Sequence, residues 1–285
     1  MAVYGRNIYS DQNVYIGTWG DTTLPRLLGV QGFDGDWSLP VSNISAAGYG
    51  PVADPIEGEL EGTINVTRYV TRSSDPITGL LTAPVSGFLA YGSDGDFSKS
   101  FGFARGYVDS LSCSCAVGDV ATSDFSMTIY GGFGKTSTTT SSPSEGVEVA
   151  RAGDINLNVN GYVTNAVQSY DFALAIQRTP LNTLGNNFKP EDFIVNYPIE
   201  VSADFDIIVN DYETSELYDL ICSPVLQDLT FELNTCSGTN IRKFSMSQAK
   251  LISYNTSSAI GDNMTTSISY VKYLKSTGDL AALFQ

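Results

Sequence analysis

The chain has 285 residues, 42% of them apolar, a formal net charge of −16 and no histidine. It is long enough for one large domain or two ordinary ones, each with a real core. The charge excludes a protein that grips phosphate backbones through clustered Lys and Arg, and the missing histidine removes the commonest general base and the usual zinc and haem ligand.

Thr, Ser, Val, Ile and Gly dominate the patterned stretches and long runs of helix formers are absent, so the expected fold is mainly β. The opening "MAVYGRNIYSDQNVY" has no signal-peptide apolar core, and no run reaches the roughly 18 to 20 apolar residues that cross a bilayer. Neither general secretory export nor a membrane partner is expected. The segment "PIEGELEGTINV" (55–66) then alternates strictly. Glu57, Glu59 and Glu61 fall on one parity and Ile56, Leu60, Ile64 and Val66 on the other, which predicts a strand with one acidic and one apolar face. Like charges about 7 Å apart along a strand repel, so the row needs a reason. A short helix is predicted in "SSDPITGLLTAP", from its Ser/Asp cap and early Pro.

Downstream, "DGDFSKS" from Asp94 begins like a calcium loop, but its sixth and twelfth positions are Lys99 and Arg105 instead of Gly and Glu. Cys113 and Cys115 are two apart in a predicted strand, and Cys222 and Cys236 lie in separate segments. Free thiols are expected. "VGDV" and "IGDN" predict hairpin turns in which Gly118 and Gly261 supply positive φ. "YGGFGKTS" lacks the glycine that a phosphate-binding loop needs at position 129, where Ile stands. The Ser/Thr-rich stretch 134–153 reads as a linker or long exposed loop, which sets domain bounds of 1–140, 141–152 and 153–274, with an arm at 275–285. A second helix is predicted in "TSELYDLICSP".

The later segment "PIEVSADFDIIV" (198–209) repeats the earlier strand, with Glu200, Asp204 and Asp206 on one parity and Val201, Phe205 and Val209 on the other. A shift of 143 residues aligns 55–130 with 198–273 at 18 identities in 76 positions, where chance gives roughly 5. Upstream, "VQGFDGDWSLPVSNISAAG" from Val30 matches "VQSYDFALAIQRTPLNTLG" from Val167 at a shift of 137. A six-residue insertion in "NNFKPEDF" accounts for the difference. The chain is an internal duplication.

No catalytic constellation emerges. Glycosidase-type chemistry needs two carboxyl groups with separated pKa values in a cleft, whereas these acids form open rows. No cofactor, metal ligand set or catalytic residue is expected, and the chain is not expected to be an enzyme.

Two copies of a β-unit with one helix, an acid-faced strand and an Ala-hydrophobic-Gly-Asp hairpin resemble the tail tube proteins of long-tailed bacteriophages. "YPIEVSADFDIIVNDYETSELYDLI" and "AKLISYNTSSAIGDNMTTSISY" carry most of the likeness. The resemblance implies two tandem tail-tube-like β-sandwich or barrel domains, each with one short helix, in a structural virion protein. Its rings would stack into a conduit through which DNA passes without specific binding. Assembly in the host cytoplasm, residence in the virion tail and contact with other tail proteins follow from the same likeness.

On that reading Glu57, Glu59, Glu61, Glu200, Asp204 and Asp206 line the lumen, where a row of carboxylates repels a sliding polyanion. An outer sheet face also carries charge; recurrence in both copies is what points to a lumen. If a ring holds six domain equivalents, three duplicated chains close it. Leu280, Leu283 and Phe284 in the C-terminal arm are expected to dock on a neighbouring subunit, or else on their own domain. Many tube proteins carry one domain per chain, so a distal-tail or neck ring, or a capsid-associated protein, is an alternative. A β-repeat adhesin binding glycans through Trp19, Trp37 and the tyrosines is a rival of another class.

Overall fold

The alternation in Ile199–Ile208 is realised residue by residue. Val201, Ala203, Phe205 and Ile207 are buried while Glu200 and Asp204 are exposed. The same holds in Glu61–Tyr69, where Ile64 and Val66 point inward and Glu61, Thr63, Asn65 and Thr67 outward. Each such strand hides one face and must pack it against a second layer.

The computed structural model describes residues 12–38, 41–42, 45–46, 50–51, 56–57, 61–71, 79–91, 100–130, 133–134, 139–141, 149, 155–159, 162–181, 190–208, 226–235, 238, 240–258 and 263–284. The first copy contains β1 (Gln12–Thr18), β2 (Thr23–Pro25), β3 (Val30–Ser38), β4 (Val41–Ser42), β5 (Ser45–Ala46), β6 (Gly50–Pro51), β7 (Ile56–Glu57), β8 (Glu61–Tyr69), β9 (Val85–Tyr91), β10 (Ser100–Ala116) and β11 (Thr122–Tyr130). β12 (Phe133–Gly134) and β13 (Thr139–Ser141) follow. The second copy contains β14 (Ile155–Val159), β15 (Tyr162–Thr164), β16 (Val167–Ala175), β17 (Arg178–Leu181), β18 (Asp192–Val195), β19 (Ile199–Ile208), β20 (Gln227–Asn234), β21 (Asn240–Ser257) and β22 (Thr265–Leu274), and the helix α1 (Thr277–Ala281) closes the chain. The protein is mainly β, and among the described residues no helix is long and apolar enough to cross a membrane.

The large sheet contains the path β21-β22-β19-β16-β10-β11-β8-β3. The long strands β10 and β21 extend beyond it. Their N-terminal halves pair with β9 and β20, which in turn pair with β1 and β14. These outer strands cover the apolar face of the inner ones. Phe231 of β20 packs against Tyr170 and Phe172 of β16 and Phe205 of β19, and stacks on Phe244 of β21 with centroids 4.4 Å apart. Each buried ring of this kind contributes about 1.5 to 3 kcal/mol of hydrophobic stabilisation.

The duplication is present down to its irregularities. The ladder between β3 and β8 slips between Val30 and Gly32, and the ladder between β16 and β19 slips between Val167 and Ser169. β10 against β11 slips between Val108 and Ser110, and β21 against β22 between Leu251 and Ser253. Bulges recur at fixed places because they re-aim a strand. Two duplicated strands do not obey the alignment read from the sequence, however. Tyr69 pairs with Thr122 in the first copy and Ile208 with Thr265 in the second, so β8 and β19 correspond at a shift of 139 instead of 143. Glu200 is the counterpart of Glu61, not of Glu57, and the matched "PIE" triplets occupy different places.

The copies meet edge to edge within one sheet, β16 pairing with β10 from Ser110 opposite Ala175 to Ala116 opposite Ser169. In the expected linker region, β12 pairs with β10, β13 pairs with β2, and Val149 bridges Thr71. Of the first predicted helix, residues 79–84 are described: Gly79 and Leu80 are helical, and 81–84 are not. The second lies outside the described residues.

The C-terminal arm folds back on its own chain. Ser276 caps α1 by accepting from the Asp279 amide at 3.2 Å, and Asp279 reaches back to the Lys275 amide at 2.9 Å, a reciprocal cap that starts the helix. Leu280 and Leu283 are then fully buried in the core, and Phe284 packs on Phe244 and Phe172. All three pack on their own chain, the second of the two expectations stated for them: Phe244 bridges Phe284, and the Ser245 amide donates to the Leu283 carbonyl.

Candidate functional site

The inner layer leaves one face uncovered, and cross-strand register places its residues in rows. One row runs Ser269, Asp204, Asp171, Ser114, Thr122 and Tyr69 across β22, β19, β16, β10, β11 and β8. The next carries Ser202, Ala173, Ser112, Asp124 and Thr67, and farther along Asp34 and Asp36 of β3 stand opposite Asn65 and Thr63. Including Glu61, Glu200 and Asp206, eight carboxylates share this face. Among its described residues one base, Lys250 beside Val271, stands at the β21 edge.

The face is concave. One depression of about 680 Å3 is lined by Ser114, Thr122, Asp171, Asp204 and Asp206 and rimmed by the β10–β11 turn at Gly118 and Asp119. A second of about 490 Å3 continues along the same face by Ser112, Ala173, Ser202 and Glu200, and a third of about 170 Å3 lies by Asp36, Glu61 and Thr128. The turn is shaped by Gly118, whose φ of 91° suits glycine.

Hydroxyls offset part of the repulsion. Asp206 accepts hydrogen bonds from Ser169 and Ser267, each at 2.5 Å. Asp171 has no such relief: partial burial raises its pKa above the ordinary carboxylate value, and the charges of Asp204 and Asp124 raise it further. Acids contributed by both copies therefore form one electrostatic surface.

Beside this face the junction between copies is clamped at the β10 bulge. Arg178 donates to the carbonyls of Val108 and Leu81 and lies 3.3 Å from Asp109, which also accepts from Thr128. Burial raises the Asp109 pKa, while Thr128 and Arg178 pull it down. Behind the face, Cys113 lies 3.3 Å from the Tyr170 hydroxyl. Burial pushes its thiol up to about 12 and that of Cys115 to about 11. Both are free.

Of the predicted lumen residues, Glu61, Glu200, Asp204 and Asp206 lie on this face, and Val201 and Phe205 behind it are buried as expected. Ile56 and Glu57 form β7, which pairs with β4. Glu59, Leu60 and Val209 lie outside the described residues, as do the side chains of Ile56 and Glu57. Sequence reasoning missed Asp34, Asp36, Asp124 and Asp171. Asp34 and Asp171 were nonetheless aligned by the upstream repeat, which was the available signal.

No protein-family model matches the chain, and no curated protein matches it.

Proposed function

We propose that the chain is a structural virion protein whose rings stack into the tail tube of a long-tailed bacteriophage, with the concave acidic face lining the conduit. One observation carries the reading: a concave polar face runs without interruption through both copies and holds eight carboxylates. Such a surface repels a polyanion and gives it no binding register, which is what a passage for DNA needs. Each copy corresponds to one tail-tube-like β domain, so three chains supply six domain equivalents in a pseudo-sixfold ring. The partners are further copies of the chain and other tail proteins, and the chain works without catalysis or cofactor, in the virion, after assembly in the host cytoplasm.

Negative-stain images and native mass of the purified protein test this. Hollow rings or tubes, with an isolated ring of about 92 kDa from three chains of 30.6 kDa, are the expected result. Monodisperse monomers at high concentration overturn the reading, and a ring of twice that mass overturns the trimer.

A further inference from the structure

The duplication exposes an unused pair of edges. Copy two ends at β16, the counterpart of β3, and β16 is covered by β10, the counterpart of β21. At the far ends of the path, among the described residues, β3 pairs only with β8, and the C-terminal half of β21 pairs only with β22. The molecule thus carries, as open edges, the same two strand surfaces that it joins internally. Exposure agrees with this. β3 is exposed from Asp34 to Ser38, and β21 is largely exposed from Ile252 to Ser257. Unpaired edges of this length are templates for another strand, and neither of these stretches contains a proline.

We infer that β21 of one chain pairs antiparallel with β3 of the next, in the register that β10 and β16 use inside the chain. The register follows from the two repeat shifts, 143 for β10 to β21 and 137 for β16 to β3. Ser110 opposite Ala175 becomes Ser253 opposite Ser38, and the ladder ends with Ser257 opposite Asp34, the counterpart of Ser114 opposite Asp171. An aspartate meets a serine in both junctions. Asp36 meets Asn255, so no carboxylate faces another. Pairing β3 with a second β3 would bring Asp34 and Asp36 of two chains together, which the like charges disfavour. On the opposite face Trp37, stacked on Phe101 with centroids 4.3 Å apart and still 42% exposed, meets Tyr254. Their internal counterparts, Leu174 and Leu111, are 2% and 5% exposed, and an aromatic cross-strand pair here gains from the same covering.

The contact is head to tail, so it closes only as a ring. Each chain contributes eight strands, and three chains close a barrel of 24. The count of three rests on the ring reading above; the register does not.

Cysteine pairs test the register, because a disulfide forms only when Cα atoms lie within about 7 Å. A chain carrying both Asp36→Cys and Asn255→Cys is oxidised mildly and run on a non-reducing gel. The parent, with its own four cysteines, sets the background. Covalent oligomers ending at the trimer are expected, with none from the offset pair Asp34→Cys and Ser253→Cys. Rings of the right mass that link through neither pair, or through the offset pair, overturn the register while leaving the ring reading standing. Monomers without any link overturn both. A ladder running past the trimer supports the junction and overturns closure at three. Independently, in a Trp19→Phe chain the fluorescence of Trp37 is expected to shift to the blue as concentration drives assembly. Assembly with no shift overturns the placement of Trp37 in the junction.

Discussion

Asp171 lies directly opposite Asp204 across the β16–β19 ladder, two carboxylates at the centre of a face that offers them hydroxyls and no nearby base. Their juxtaposition is a cost built into the fold, and it has a measurable sign.

Asp171 has a folded pKa above its unfolded value, through burial first and then the charges of Asp204 and Asp124. Its ionised form therefore destabilises the native state at neutral pH. That cost disappears as pH falls through the folded value toward the ordinary carboxylate range. Asp171→Asn is expected to melt higher than the parent at pH 7, with the gap closing at about pH 4. Thermal unfolding of both proteins at the two pH values checks it; a gap that widens on acidification contradicts the assignment.

Arg178 is 4% exposed in its side chain and satisfies two backbone carbonyls as well as Asp109. Removing it leaves the two carbonyls without this donor and Asp109, 31% exposed and still bonded to Thr128, without its cation. Arg178→Ala is expected to cost about 3 kcal/mol, with little dependence on salt. The pair of Lys243 and Glu232, at 3.2 Å and 35% exposed on each side, is expected to be worth less than about 1 kcal/mol. Urea unfolding at low and high ionic strength separates the two cases.

Leu283 is fully buried, and its carbonyl accepts from the Ser245 amide. Leu283→Ala is expected to destabilise the isolated chain by about 2 to 5 kcal/mol. Truncation after Lys275 should do at least as much, by uncovering Phe244. Denaturant unfolding of chains kept at low concentration is the measurement. A truncated chain that unfolds like the parent, but fails to assemble, would return the arm to an inter-subunit role.

The thiols of Cys113 and Cys115, pushed up to about 12 and 11 by burial, hold almost no thiolate at pH 8. Alkylation followed by peptide mapping is expected to leave both unmodified in the native protein and to label both in denaturant.

The sequence by itself determined the β class, the duplication and the facing of each long strand, because these follow from residue type and a period of two, which are local. It determined the faces of β8 and β19 even though the repeat alignment there was off by four, since an even slip keeps every side chain on its side. Tertiary structure alone decided which strands adjoin. That choice brought Asp34, Asp124 and Asp171 to the face of Asp204 and turned Leu283 into its own core. Partner choice depends on how the whole apolar surface is covered, and no window of sequence contains that information.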